Sequence, residues 1–403
     1  MRKKLLALGF LLLFSICVRS ADVQWRHLTS ARAELPLPSN SKAQSGLVVG
    51  DFDGDHTNDF IISFNDVAPA LVLYRGATNW SRLPIELDFL PIAAGGTAWD
   101  IDRDGDLDVI FGSETGPEIW WWENPSPQFD PNKSWTRHLI KNSGNILNRG
   151  QLFADLMGTA RPGLVFWNQG SNAVFFTSIP TDPRSRRIWD FTKIFSPPGA
   201  QVPGAMESLA TADIDMDGNA DLLAGNYWLK RTNALQFQAT RVGPFQGRSA
   251  VGRFRESTIP QIVIAPQAAP GPVFWYECKS HPELPGSWAG RQLLEHDVQP
   301  IGTLAIGDLN RDGNDDILVA ELASPGPSGA APEPRAWIIY SDGRGDFRAQ
   351  LFSTGIEIYD AKLVDLDKDG DLDIVGVARS AGAPRLDIWL NEAVFNGPPV
   401  YPK

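Results

Sequence analysis

Twenty side chains in five short stretches carry most of the chemistry this sequence offers. They are Asp51, Asp53, Asp55 and Asp59; Asp100, Asp102, Asp104 and Asp108; Asp213, Asp215, Asp217 and Asp221; Asp308, Asn310, Asp312 and Asp316; and Asp365, Asp367, Asp369 and Asp373. In each stretch they stand at positions 1, 3, 5 and 9 of a nine-residue loop. Calcium takes roughly six to eight oxygen ligands, and such a loop can wrap one ion when a backbone carbonyl at position 7 joins the side chains. Those carbonyls belong to Thr57, Asp106, Asn219, Asn314 and Asp371. Position 6 is Gly105, Gly218, Gly313 or Gly370, the residue type a sharp turn takes most easily, whereas His56 holds it in the first loop. An EF-hand would add flanking helices and a Glu at position 12, where every loop here has an apolar residue or glycine. A solvated acidic turn would account for any single copy. Five copies point to cations, because four crowded carboxylates repel one another unless a positive charge sits between them.

Elements of a definite kind must hold these loops. Eroded copies at Asp155 and Arg253 complete a series starting at 51, 100, 155, 213, 253, 308 and 365. The steps of 40 to 58 residues match four-stranded propeller blades. A short apolar strand precedes each loop (Leu47 to Val49, Leu304 to Ile306) and another follows it (Phe60 to Ile62, Ile317 to Val319). A third strand is aromatic, as at Trp120 to Trp122, and a fourth is expected to begin at Trp80, Trp135, Trp189, Trp288 or Phe347. The runs lack polar alternation, as strands buried on both faces do. The seventh unit runs out of chain after its third strand, while Arg26-His27-Leu28 echoes Arg137-His138-Leu139. The expectation is an all-β, seven-bladed propeller of four-stranded blades, its ring closed by the mature N-terminal strand.

These residues resemble the FG-GAP and VCBS repeat family, the propeller repeats also found in integrin α-chain heads and many exported bacterial proteins. The resemblance covers roughly residues 22–391, and the five acidic loops are its specific part. It implies that each matching loop joins the first two strands of a blade and holds one calcium ion, about five ions in all. The blades of Asp155 and Arg253 are expected to be metal-free.

The chain ends bear on location. Arg2, Lys3 and Lys4 precede an apolar run of about 14 residues and small residues near Ser20, the pattern of a signal peptide over residues 1–20. The expected product is a propeller over residues 21–396 with a short tail over 397–403, secreted or held at the periplasm or cell surface, with no membrane span after cleavage. Cys17 offers a lipid-anchored alternative, though Phe14-Ser15-Ile16 lacks the small residue that usually precedes such a cysteine. Cleavage leaves Cys278 alone, so packing or metal must replace a disulfide. It also removes four basic residues, taking the formal net charge from −12 to −16. That balance argues against nucleic acid as a partner.

In an up-and-down blade the acidic loops share one face with the hairpins joining strands three and four. The opposite face receives Pro/Gly-rich insertions at residues 265–272 and 322–334 and the segments carrying Asn148, Arg149, Met206, Glu207 and residues 357–359. Loops on a rigid scaffold are the usual carriers of binding, so this face is the candidate surface for an extracellular polysaccharide or protein. The alternative is a polysaccharide-active enzyme of lyase type, recruiting Tyr359 and Arg149. No pair at catalytic spacing, GxSxG element, Walker loop or zinc-spaced histidine pair supports it from sequence, and His27 and His138 fall at equivalent strand positions that suit a structural role. The aromatic third strands recur at one place in every blade, which suits packing between blades and not a carbohydrate platform.

Overall fold

The computed structural model describes residues 23–76, 79–198, 208–323, 332–379 and 382–392. The expected signal peptide at 1–20, Met206, Glu207, most of the insertion at 322–334 and the expected tail at 397–403 lie outside them.

Seven antiparallel four-stranded sheets follow one another along the chain. Blade one is Gln44–Gly50, Asp59–Phe64, Leu71–Arg75 and Ser81–Glu86. Blade two is Thr97–Trp99, Asp108–Gly112, Ile119–Glu123 and Thr136–Lys141; blade three is Asn148–Ala154, Gly163–Asn168, Ala173–Ser178 and Thr192–Phe195. Blade four is Leu209–Ala212, Asp221–Ala224, Tyr227–Asn233 and Gln236–Arg241; blade five is Gly247–Gly252, Gln261–Pro266, Phe274–Cys278 and Trp288–Gln292. Blade six is Ile301–Gly307, Asp316–Glu321, Arg335–Ser341 and Phe347–Thr354. Blade seven takes Asp360–Val364, Asp373–Val377 and Leu386–Asn391 from the end of the chain and Trp25–Thr29 from its start. First strands adjoin around the whole ring, blade seven meeting blade one. Among the described residues no helix is long and apolar enough to cross a membrane.

The N-terminal strand closes the ring as the sequence echo predicts, pairing from Trp25 opposite Asn391 to Thr29 opposite Asp387. His27 stacks on Trp389 at 4.7 Å as His138 stacks on Trp121 at 4.1 Å. Each imidazole also meets a carboxylate, Asp387 at 2.8 Å and Glu123 at 2.9 Å. Both histidines therefore hold outer strands onto third strands.

The missing polar alternation follows from the packing. On the second strand of blade one, Phe60, Ile62 and Phe64 pack against Val375 and Val377 of blade seven, whereas Ile61 packs against Val109 and Phe111 of blade two. A strand wedged between neighbours must be apolar on both faces, and each such side chain contributes roughly 1.5–3 kcal/mol by burial. Trp121, Trp122 and Trp228 are fully buried in these layers. The fourth strands show half-exposed patterns, as at Ser81–Glu86 and Thr136–Lys141. Of the five aromatics expected to open them, Trp288 and Phe347 do so. Trp80, Trp135 and Trp189 stand before their strands instead. The backbone N–H of Trp135 bonds Ile85 O and that of Trp189 bonds Ile140 O, both at 2.9 Å, so these residues are tied to the preceding blade and not to their own ladder.

Candidate metal centres

Each acidic loop begins with an aspartate that folds the turn. Asp51 accepts N–H groups from Gly54 (2.8 Å), Asp55 (3.1 Å) and His56 (2.9 Å). Asp213 accepts from Asp217 and Gly218, and Asp308 from Asp312 and Gly313, at 2.8–3.1 Å. Position 6 is left-handed throughout, with φ of 102° at Gly105 and 87° at Gly370, and His56 is forced to 66°. Position 4 is left-handed too, at Gly54, Arg103, Met216, Arg311 and Lys368. The sequence reading missed this requirement, and only Gly54 signals it.

Position 9 is a structural staple as well as a donor. Asp59 is fully buried, one oxygen accepting Phe52 N–H at 3.1 Å and the other Gly76 N–H at 2.8 Å. Asp108, Asp221, Asp316 and Asp373 make the same pair of bonds, from the position-2 residue of their loop and from the end of the third strand. In the eroded blade five, Gln261 accepts Phe254 N–H at 2.9 Å in the same way, which keeps the staple without the charge. Burial drives the carboxylates up, Asp59 and Asp373 to about 7, Asp108 and Asp316 to about 8, and Asp221 to about 6.

The structure brings positions 1, 3 and 9 together. In the loops of blades one, two, four and seven, one oxygen from each of the three carboxylates lies within 4.8 Å of the others. The blade-six loop has the amide of Asn310 at position 3. Position-5 carboxylates stand outside these clusters at the rim, accepting N–H from position 7, as Asp55 does from Thr57 at 2.8 Å. Three of the five loops have a basic side chain on position 3, unforeseen from sequence. Arg75 meets Asp53 at 2.5 Å, Lys230 meets Asp215 at 2.5 Å, and Arg184 meets Asp102 at 2.5 Å and Asp104 at 3.0 Å. Among the described residues no ion pair reaches Asp367.

These residues fit a hard divalent cation. The donors are all oxygens, and positive charge is short where they crowd. Asp106 Oδ1 and Asp371 Oδ1 are buried without a hydrogen-bond partner. Burial and then Asp104 push Asp106 up to about 7, and burial and then Asp369 push Asp371 up to about 8.

The opposite end of the ring gathers a different set. Arg149, at the start of blade three, lays its guanidinium along the Glu114 carboxylate of blade two, with Nε at 3.2 Å from Oε2 and Nη2 against Oε1. Arg379 of blade seven lies 3.6 Å from the same carboxylate, stacks 4.8 Å above the Tyr359 ring and donates to its hydroxyl. Arg149 and Tyr359 thus share one network through two residues that sequence did not single out. Asn148 and Glu357 are buried.

Among known proteins, the model of the FG-GAP-like repeat matches residues 308–376, from the blade-six loop into blade seven. With the seven-bladed ring, this fits an FG-GAP/VCBS repeat family. No curated protein sequence matches. Solved propellers share the fold. An Agrocybe aegerita lectin that recognises non-reducing terminal N-acetylglucosamine is 16% identical, with 77% of this chain and 80% of that one covered and a TM-score of 0.53. The V. cholerae biofilm matrix protein Bap1 is 10% identical over 92% of this chain and 91% of that one, with a TM-score of 0.52. The Dos1 propeller is 7% identical over 91% and 95%, with a TM-score of 0.51. Such a fold is compatible with a binding scaffold.

Proposed function

We propose that this chain is an exported, calcium-stabilised propeller that binds an extracellular glycan or protein through the face opposite its acidic loops. The observation that carries the binding reading is the convergence of Glu114, Arg149, Tyr359 and Arg379 from blades two, three and seven on that face. Two guanidiniums gather on one carboxylate there and present several donors on a rigid support. The lectin and the biofilm matrix protein, both propellers, support a binding role by analogy of fold.

Calcium, in this reading, neutralises the loops on the other face. The residues that would hold it are Asp51, Asp53, Asp55 and Asp59 and their counterparts, and the ion would supply positive charge and fix the first hairpin of each blade. The position-9 aspartates orient that hairpin through their two backbone bonds whether or not an ion is present.

A screen of the purified protein against polysaccharides, reading binding and unsaturated products in the same samples, tests the proposal. Binding by the wild type that weakens in Arg379→Gln and Tyr359→Phe is the expected result. Absence of any polymer binding overturns it. The enzyme reading is favoured by one contact, the Tyr359 hydroxyl against the Arg379 guanidinium, and product formation lost in Tyr359→Phe would establish it.

A further inference from the structure

A cavity of about 430 Å3 opens between blades two and three on the acidic-loop face, lined by Trp99, Asp100, Arg103, Thr159, Arg161 and Pro162 among others. Its volume lies within the range of small-ligand pockets, roughly 300–1,000 Å3. From this cavity we infer a binding site for an anionic saccharide residue, one carrying a uronate carboxylate or a sulfate ester. The site is on the other face from the cluster proposed above and does not rest on it.

Repeat geometry explains why the cavity exists here. In blades one and six the glycine just before the acidic loop packs toward position 8 of the next blade. A Cβ on Gly50 would meet Leu107 at 2.7 Å, and one on Gly307 would meet Leu372 at 2.6 Å, so leucine and glycine fill those gaps together. Blade two has Trp99 in place of the glycine, and the eroded blade three has Pro162 in place of the leucine. The indole remains 40% exposed, with the Phe153 ring 6.0 Å from its own. A large aromatic surface exposed at one blade, where most other blades have glycine or alanine, offers a face on which a sugar ring can stack.

The charges around it lack counter-ions. Arg161 occupies position 7 of the eroded loop, where an intact loop offers its seventh carbonyl to a cation, and its guanidinium donates to the Pro180 carbonyl at 3.3 Å. Arg103 is exposed and has no hydrogen-bond or ion-pair partner among the described residues. Burial and then the Arg103 charge lower the Arg161 guanidinium from its ordinary value, so two like charges face one cavity. Asp100, the carboxylate on the wall, is engaged by the N–H groups of Asp104 at 3.1 Å and Gly105 at 3.3 Å. Two guanidiniums beside an open indole are complementary to an anionic group on a pyranose ring. A neutral sugar would use the stacking face and leave the charges unpaired.

The test is titration of the calcium-loaded protein with a short oligogalacturonate, a sulfated galactan oligosaccharide and a neutral galactan oligosaccharide, followed by tryptophan fluorescence and calorimetry. Binding of at least one anionic probe with a fluorescence change is expected, and which of the two binds identifies the group recognised. Arg161→Gln and Trp99→Ala should each weaken that binding by roughly tenfold or more, the loss expected for one charged hydrogen bond or one stacking surface. Trp99→Phe, which keeps a ring, should retain part of it, and Arg161→Gln decides the matter if Trp99→Ala lowers the melting temperature. Equal affinity for the neutral probe, no binding of either anion, or binding indifferent to Arg161→Gln overturns the inference.

Discussion

The loop of blade seven and the loop of blade three are built on the same turn and differ in what is crowded into it. In blade seven, Asp365 accepts N–H groups from Lys368 at 2.8 Å and Gly370 at 3.1 Å. In blade three, Asp155 accepts them from Thr159 at 3.0 Å and Ala160 at 2.7 Å. Both turns stand, yet blade three has Met157, Thr159 and Gly163 where blade seven has Asp367, Asp369 and Asp373. One aspartate at position 1 is therefore enough to fold the loop. The electrostatics separate accordingly. Burial acts to raise Asp155, but the backbone N–H groups of Thr159, Ala160, Gly158 and Met157 outweigh it and lower the carboxyl. In blade seven, burial drives Asp373 up to about 7 and Asp367 upward as well. Three further acids are present where none is needed for the turn, and burial holds two of them, Asp367 and Asp373, in an unfavourable state. A cation is the partner that makes sense of them.

The widest test of this contrast is to remove calcium. A ligand in hundredfold excess over its Kd stabilises by about 2.7 kcal/mol per site. Several occupied loops should therefore lower the melting temperature by on the order of ten degrees or more on chelation. Acid should act oppositely on the two forms. The position-9 aspartates have folded values raised above the unfolded one. In the chelated protein their contribution to stability is present below about pH 4 and is lost as pH rises through 6 to 8. Chelated protein should thus melt lower at pH 8 than at pH 5.5, while calcium-loaded protein, whose ligands must be ionised, should melt higher at pH 8. Melting curves at the two pH values check this, and the same slope with and without calcium would break the comparison.

Single substitutions sharpen it. Asp369→Ala, Asp104→Ala or Asp217→Ala should each remove about one equivalent of calcium and leave the ring folded, read by elemental analysis and circular dichroism. Thr159→Ala and Ser257→Ala, at position 5 of the eroded loops, should leave stoichiometry unchanged. Asp155→Ala should also leave it unchanged but lower stability by about 1 kcal/mol, as loss of a side-chain cap does. Loss of an ion in Thr159→Ala would remove the distinction between intact and eroded loops.

The repeat and the closure of the ring were legible because both depend on local pattern. Acidic spacing marks the loop, apolar runs mark strands buried on two faces, and Arg26-His27-Leu28 repeats a contact made by Arg137-His138-Leu139. What sequence could not supply is which blade reaches which loop. Arg184 leaves the blade-three hairpin to meet Asp102 and Asp104 in blade two, 80 residues away from the latter. Asn124 of blade two donates to the Phe52 carbonyl of blade one at 2.8 Å, and Asn391 does the same to Leu309. These contacts depend on the registration of neighbouring blades, to which no residue spacing along the chain corresponds. The same applies to Glu114 and Arg379, which join Arg149 and Tyr359 from different blades.

A smaller effect is expected from the basic side chains lying on position 3. Lys230→Gln removes the ammonium from Asp215, and Arg184→Gln removes the guanidinium from Asp102 and Asp104. If these groups compete with the ion, each substitution should tighten calcium at its own loop several-fold without changing the number of ions. Blade seven, where no ion pair reaches Asp367 among the described residues, is the reference, and equal affinities before and after substitution would show that the side chains move aside without cost.

The smallest expected effect concerns position 6, where blade one and blade seven differ by a side chain. His56 has φ of 66° and Gly370 has φ of 87°, so both loops demand a left-handed residue and only blade seven has glycine there. A left-handed conformation costs an L-residue roughly 1–2 kcal/mol, and glycine avoids that while giving back part of the gain through the greater freedom of its unfolded chain. His56→Gly should therefore stabilise the protein by less than about 1 kcal/mol, and calcium stoichiometry should not change. The imidazole is almost fully exposed and lies 3.7 Å from Asp51, too far for a hydrogen bond, so little packing is lost with it. Gly370→His closes the comparison from the other side, since it places the same strain in the loop that lacks it. It should cost about as much as His56→Gly gains, with open space at Gly105 and Gly218 showing that the turn itself has room for a side chain. Paired chemical denaturation of the two variants measures both terms. A Gly370→His protein as stable as wild type would mean that backbone conformation does not select glycine at position 6, and the difference between the two loops would have to be sought in the ion alone.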